Sequence, residues 1–142
     1  MTLKSSKIAF DTGPLFMYHA GGKFGDKVRP YFNEVLEGRS TGLISEVALA
    51  EYFYKTCQKF GKEAAETRLD MIRSEKYQIV EVDQSDSAFA GLLKCKYADI
   101  SLADALAASL AKNADAFLLT SDEGLSDVCK KEGIKVRLVR AD

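Results

Sequence analysis

The sequence predicts an α/β protein: a single domain on a five-stranded, mainly parallel sheet with helices on both faces. Three observations predict it. Short apolar runs alternate with longer amphipathic stretches through all 142 residues, the pattern of strands joined by crossover helices. The run Ala116-Phe117-Leu118-Leu119-Thr120 has no polar alternation, which suits a strand covered on both faces. The run Lys7–Phe10 ends on Asp11, with Gly13 and Pro14 behind it. That reads as a buried strand, a tight turn and a helix start.

The elements follow in order. After Pro14 a short helix runs to Ala20, and Gly21-Gly22 break it. A second helix is expected from Asp26 to Leu36, its stripe made by Val28, Phe32 and Val35, with Pro30 in the first turn or at a kink. Thr41–Ser45 is the second strand, and Ser45 caps a helix from Glu46 to Lys59. Gly61 separates it from another helix, Lys62–Ser74, and Tyr77–Val82 is the third strand, ending at Asp83. Ser85–Lys94 is helical, 99–101 connects, and Leu102–Asn113 is an alanine-rich helix. Ala116–Thr120 is the fourth strand, Glu123–Glu132 the last helix, and Ile134–Val139 a part-alternating edge strand. Neither repeat nor linker interrupts them, so one domain spans 1–142.

Composition excludes several classes. Hydrophobic residues make up 46% and charged residues 29%, with a net charge of -1, an ordinary folded composition without an overall basic field. No apolar run is long enough for a membrane span. Met1–Ser6 is polar, and the apolar run behind it is too short for a signal peptide, so a cytoplasmic location is expected. Cys57, Cys95 and Cys129 are far apart and His19 is the single histidine, too few soft ligands for structural zinc. The cysteines are expected as small buried hydrophobes.

The chemistry lies in carboxylates. With the first strand central, the crevice of a doubly wound sheet opens between strands one and four. Asp11 ends strand one and Asp122 follows strand four, on strands about 4.8 Å apart. Glu51 is the only charge between Val47 and Tyr54, and Asp104 is alone among small apolar residues after Ser101. Ionised carboxylates in apolar settings are normally paired or metal-bound. Each has a plainer rival reading: an Asx-turn at Asp11, an i,i+4 pair of Glu51 with Lys55, a capping-box place for Asp104 behind Ser101, and an N-cap at Asp122. Four acids on one rim nevertheless call for a cation. Oxygen-only ligands suit Mg²⁺ or Mn²⁺, which promote phosphodiester hydrolysis. Thr12 and Ser121 offer hydroxyls beside two of the acids.

These residues resemble the PIN-domain ribonucleases, and among them the VapC-type toxins of prokaryotic toxin–antitoxin pairs. The resemblance covers essentially the whole chain and rests on Phe10-Asp11-Thr12, Ile44-Ser45 followed by Leu49-Ala50-Glu51, Ser101-Leu102-Ala103-Asp104-Ala105, and Thr120-Ser121-Asp122. It implies a PIN-like fold, Mg²⁺ or Mn²⁺ held by Asp11, Glu51, Asp104 and Asp122, cleavage of single-stranded or looped RNA, a homodimer and a small antitoxin partner. Gly13 departs from the pattern, since many relatives carry Ser or Thr there. Glu46 competes with Glu51, and Asp99 with Asp104. The first-turn position of Glu46 is explained by the helix dipole alone.

Basic residues near the rim, Lys23, Lys27, Arg29, Lys94 and Lys96, are expected at RNA phosphates, although any one of them also reads as a solvated charge. Tyr52, Phe53 and Tyr54 read as core or interface. Two other readings remain: a PIN-like module that binds RNA or protein without catalysis, and an aspartate-phosphorylated signalling domain using Asp83. The second leaves Glu51 and Asp104 unexplained and lacks a lysine after the last strand.

Overall fold

The computed structural model describes residues 6–141. The polar lead-in read at Met1–Ser6 lies, apart from Ser6, outside the described residues, as does the last residue of the 1–142 domain. In chain order the elements are β1 (Lys7–Phe10), α1 (Thr12–Ala20), α2 (Gly22–Leu36), β2 (Thr41–Ser45), α3 (Glu46–Phe60), α4 (Lys62–Ser74), β3 (Gln78–Val80), α5 (Gln84–Lys96), α6 (Leu102–Ala114), β4 (Phe117–Thr120), α7 (Glu123–Lys131) and β5 (Val136–Leu138).

The strands form one parallel sheet in the order β3-β2-β1-β4-β5. Successive strand side chains point to opposite faces, and both faces are buried. Ile8, Phe10 and Leu119 face a layer with Leu15, Phe32 and Leu49 of α1, α2 and α3. Ala9 and Leu118 face the other layer, with Leu93, Ala108 and Leu125 of α5, α6 and α7. Burial on both sides explains the unbroken apolar run of β4. Phe10 stacks on Phe32 with ring centroids 4.5 Å apart, and Tyr18 stacks on Phe32 at 4.2 Å.

Boundaries differ in places. α2 starts at Gly22 rather than Asp26, so Gly21, at φ 70°, marks the break. An added Cβ at Gly25 would stand 3.3 Å from the Met17 carbonyl oxygen, so glycine there lets α2 fold back closely on α1. Pro30 lies well inside α2 and removes one helix hydrogen bond. Buried Val28, Phe32 and Val35 carry the helix through it. β3 stops at Val80, because Asp83 turns the chain into α5 with a reciprocal capping box to Asp86. Of the cysteines expected as buried hydrophobes, Cys129 is buried, Cys57 is half-buried and Cys95 is exposed, all with free thiols. Cys95 falls on a solvent-facing position of α5, which periodicity over so short a helix did not reveal. Tyr52 is fully buried, while Tyr54 is 49% exposed. Among the described residues no helix is long and apolar enough to cross a membrane.

The strand order fixes where chemistry can collect. β1 sends its chain towards β2 on one side, while its other neighbour is β4. The crevice of such a sheet opens at the carboxyl ends of that pair. The backbone N–H of Asp11 extends the pairing, donating to the Leu119 carbonyl at 3.0 Å.

Candidate active site

Asp11 occupies the N-cap position of α1, yet its side chain makes no cap hydrogen bond. The carboxylate is only 7% exposed. It accepts the Thr120 hydroxyl at 2.8 Å on Oδ2. Burial is the main reason that its pKa is pushed up to about 6; the Thr120 hydrogen bond opposes this, and the negative charges of Asp104 and Glu51 add to it.

Glu51 stands on α3, which Ser45 caps by accepting the Ala48 N–H at 3.0 Å. The Glu51 side chain is 19% exposed, and Lys55 reaches it at 3.9 Å, the outer limit of an ion pair. The i,i+4 partner is therefore real and loose. Glu46 is committed elsewhere, to Arg73 of α4 at 2.7 Å.

Asp104 lies in the first turn of α6, and its N–H donates to Ser101 Oγ at 3.0 Å. Its pKa is raised, first by burial, then by the charge of Asp122, with a further contribution from Glu51. Asp122 is the exposed N-cap of α7, accepting the Leu125 N–H at 3.0 Å. The capping readings of Asp104 and Asp122 thus hold alongside their place in the acid group. Asp11 feels the charges of Asp104 and Glu51, and Asp104 those of Asp122 and Glu51. As the side chains stand, no three His, Cys, Asp or Glu residues among those described converge tightly enough to enclose an ion.

Thr120, which the sequence reading placed in the Thr120-Ser121-Asp122 motif without a role of its own, has one here. Its fully buried hydroxyl donates to Asp11 and accepts the backbone N–H of Asp122 at 3.1 Å, so one oxygen ties two acids together. Its presence at the end of an otherwise apolar strand was the available signal. Of the two hydroxyls expected beside the acids, Thr12 is buried at the start of α1. Ser121 is half-buried and packs against the backbone of Gly13. Cys129, behind the acids, has its thiol pushed up to about 12 by burial and by the charges of Asp11 and Asp104.

The basic residues expected at the rim are mostly engaged. Lys94 donates to the Ala98 and Ile100 carbonyls, both at 2.8 Å, and so holds the connector before α6. Lys96 pairs with Glu132 at 3.0 Å. Arg29 pairs with Asp26, and Lys27 donates to the Arg140 carbonyl at 3.1 Å. Lys23 is exposed on the first turn of α2. A cleft of about 380 Å³ adjoins the acids, lined by Asp104 and Asp122 and also by Tyr97 and Lys131. Asp83, the phospho-acceptor of the signalling reading, is engaged as the α5 cap.

Comparison with known proteins gives a consistent picture. VapBC2 from Rickettsia felis, solved bound to a DNA fragment from its promoter, superposes with a TM-score of 0.73 at 20% identity, covering 93% of this chain and 98% of that one. VapC20 from Mycobacterium tuberculosis, described as a sarcin–ricin loop cleaving toxin, gives 0.71 at 16% identity over 84% and 93% of the two chains. A toxin–antitoxin complex from Klebsiella pneumoniae gives 0.59 at 18% identity over 81% and 86%. No curated protein matches the chain. The sequence profile described as PIN domain matches residues 8–131, from the second residue of β1 to the last of α7. With that match over most of its length, on a β3-β2-β1-β4-β5 sheet, the chain belongs to the PIN-domain family.

Proposed function

We propose that this chain is a Mg²⁺- or Mn²⁺-dependent endoribonuclease, the toxin of a toxin–antitoxin pair. The observation that carries the reading is the buried Asp11 carboxylate, hydrogen-bonded to Thr120 and facing the charges of Asp104 and Glu51. Like charges that raise one another's proton affinity are the electrostatic complement of a divalent cation. The donor set is all oxygen, as hard cations prefer.

Asp11, Glu51, Asp104 and Asp122 would hold the cation. When bound, it supplies a water of lowered pKa and charge neutralisation at the phosphate. The chain's own residues supply the frame. Thr120 orients Asp11 and tethers the backbone of Asp122. The caps at Ser45 and Ser101 fix the starts of the two helices that carry the other two acids. Basic side chains around the rim, Lys23 among them, would meet the RNA backbone. The likeness to the Klebsiella pneumoniae structure, described as a toxin–antitoxin complex, supports a small antitoxin partner. A homodimer and a cytoplasmic location complete the proposal.

The test is cleavage of single-stranded RNA in Mn²⁺ or Mg²⁺ by wild type, Asp11→Asn and Asp104→Asn. Losses of at least about a hundredfold in both variants are expected, given what one electrostatic group contributes at such a site. A wild type that binds no Mn²⁺, or variants that cut at the wild-type rate, would overturn the reading. Intact Mn²⁺ and RNA binding without turnover would assign the chain to the non-catalytic alternative.

A further inference from the structure

We propose that the cleft between the connector before α6 and α7 seats the nucleotide adjoining the cleaved phosphate, with Lys131 on that nucleotide's outer phosphate. This rests on the nuclease reading above and adds to it a path for the strand.

The cleft holds about 380 Å³, within the range of small-ligand sites. One wall is α7, which presents Gly124, Asp127, Val128 and Lys131. Their spacing of three, four and seven residues places them on one helix face. The other wall is the connector, with Tyr97 and Ile100. The buried Ile100 and Val128 supply apolar surface between the walls.

Its charges are ordered. Asp104 and Asp122, which belong to the acid group, line the cleft together with Lys131 and Tyr97. Lys96 is neutralised by Glu132, which also accepts the Tyr97 hydroxyl at 2.6 Å. Lys131 has no carboxylate partner among the described residues; its ammonium stands 6.0 Å from the centre of the Tyr97 ring. An unpaired lysine beside a pinned aromatic, in a cleft that opens from a candidate cation site, complements a chain of alternating phosphates and bases. The exposed Asp99 and Asp127 also line the cleft and repel phosphate from their own stretches of it. They leave it two places: the acids, through their cation, and Lys131.

The experiment uses the full chain carrying Asp11→Asn to block turnover, with a labelled single-stranded RNA followed by anisotropy over a salt series. Lys131→Ala is expected to weaken binding about three- to tenfold at low salt. It should also flatten the slope of log affinity against log salt by about 0.7, the contribution of one phosphate contact on a single strand. Lys131→Arg should keep the slope, and Lys130→Ala, on the same helix but outside the cleft, should leave it unchanged. In the cleavage-competent chain Lys131→Ala should raise KM and spare kcat. RNA binding with an unaltered slope in Lys131→Ala overturns the subsite and leaves the nuclease reading standing. A wild-type and Asp11→Asn chain that bind no RNA at all overturn both.

Discussion

The Ser121 side chain fills the space that a side chain at position 13 would need. An ideal Cβ built on Gly13 would fall onto the Ser121 hydroxyl and stand 3.2 Å from its Cβ. Gly13 does not have a positive φ, so what glycine supplies there is room rather than backbone freedom.

Gly13→Ala should therefore destabilise the protein by about 1–3 kcal/mol through overpacking. Adding Ser121→Gly should recover most of that. Urea denaturation of the two single variants and the double variant measures the coupling, and simple additivity would refute the exclusion of one side chain by the other.

Thr120→Val keeps the shape of a fully buried side chain and removes its hydroxyl. Asp11 loses a donor and the Asp122 N–H an acceptor. A cost of about 1–3 kcal/mol is expected from the buried group left unsatisfied. Thr120→Ser should lose much less. Mn²⁺ affinity should fall in the valine variant even where the fold is intact, which titration calorimetry would read directly.

Asp11→Asn should stabilise the metal-free protein at pH 8. The folded pKa of Asp11 lies near 6, above its ordinary 3.8. The folded state therefore binds the proton more tightly, and stability falls as pH rises through that window. Above it the full penalty applies, about 3 kcal/mol for a shift of this size. Asparagine carries no charge and still accepts from Thr120. The gain should be absent at pH 4, and the variant should lose the thermal stabilisation that Mn²⁺ gives the wild type.

His19 gives the opposite slope. Its ring Nδ1 is hydrogen-bonded with the Tyr52 hydroxyl, and burial, aided by the charge of Arg68, lowers its pKa to about 4. The unfolded chain, titrating near 6.5, takes up the proton first. Stability contributed by the neutral ring is then present above pH 6.5 and lost as pH falls towards 4. The loss should reach about 2 kcal/mol after allowance for the partial exposure of the ring. Thermal melts at pH 7 and 4.5 should differ more for wild type than for His19→Gln.

How much could be read beforehand divides along physical lines. Phe10-Asp11 was readable because a strand, a turn and a helix start are local signals, and a lone acid in an apolar run, as at Glu51 and Asp104, is conspicuous without any neighbours. The role of Thr120 was not readable, although its place at the end of an apolar strand was, because its bond to Asp11 depends on the register that sets Phe10 opposite Leu119. Lys94 misled for the same reason: a lysine near a helix end looks solvated until the connector folds back and offers two carbonyls. The early start of α2 was hidden by glycines whose propensity argues against helix. What overrode it was the packing of Gly25 on the carbonyls of α1.

The strand order also bears on when the crevice forms during synthesis. Asp11 leaves the ribosome early, but the hydroxyl that holds it lies 109 residues further on. Until β4 has emerged and slid in beside β1, the growing chain carries scattered acids and no crevice. A chain built this way completes its crevice only late in translation, and one cut short before β4 leaves β1 with β2 alone beside it.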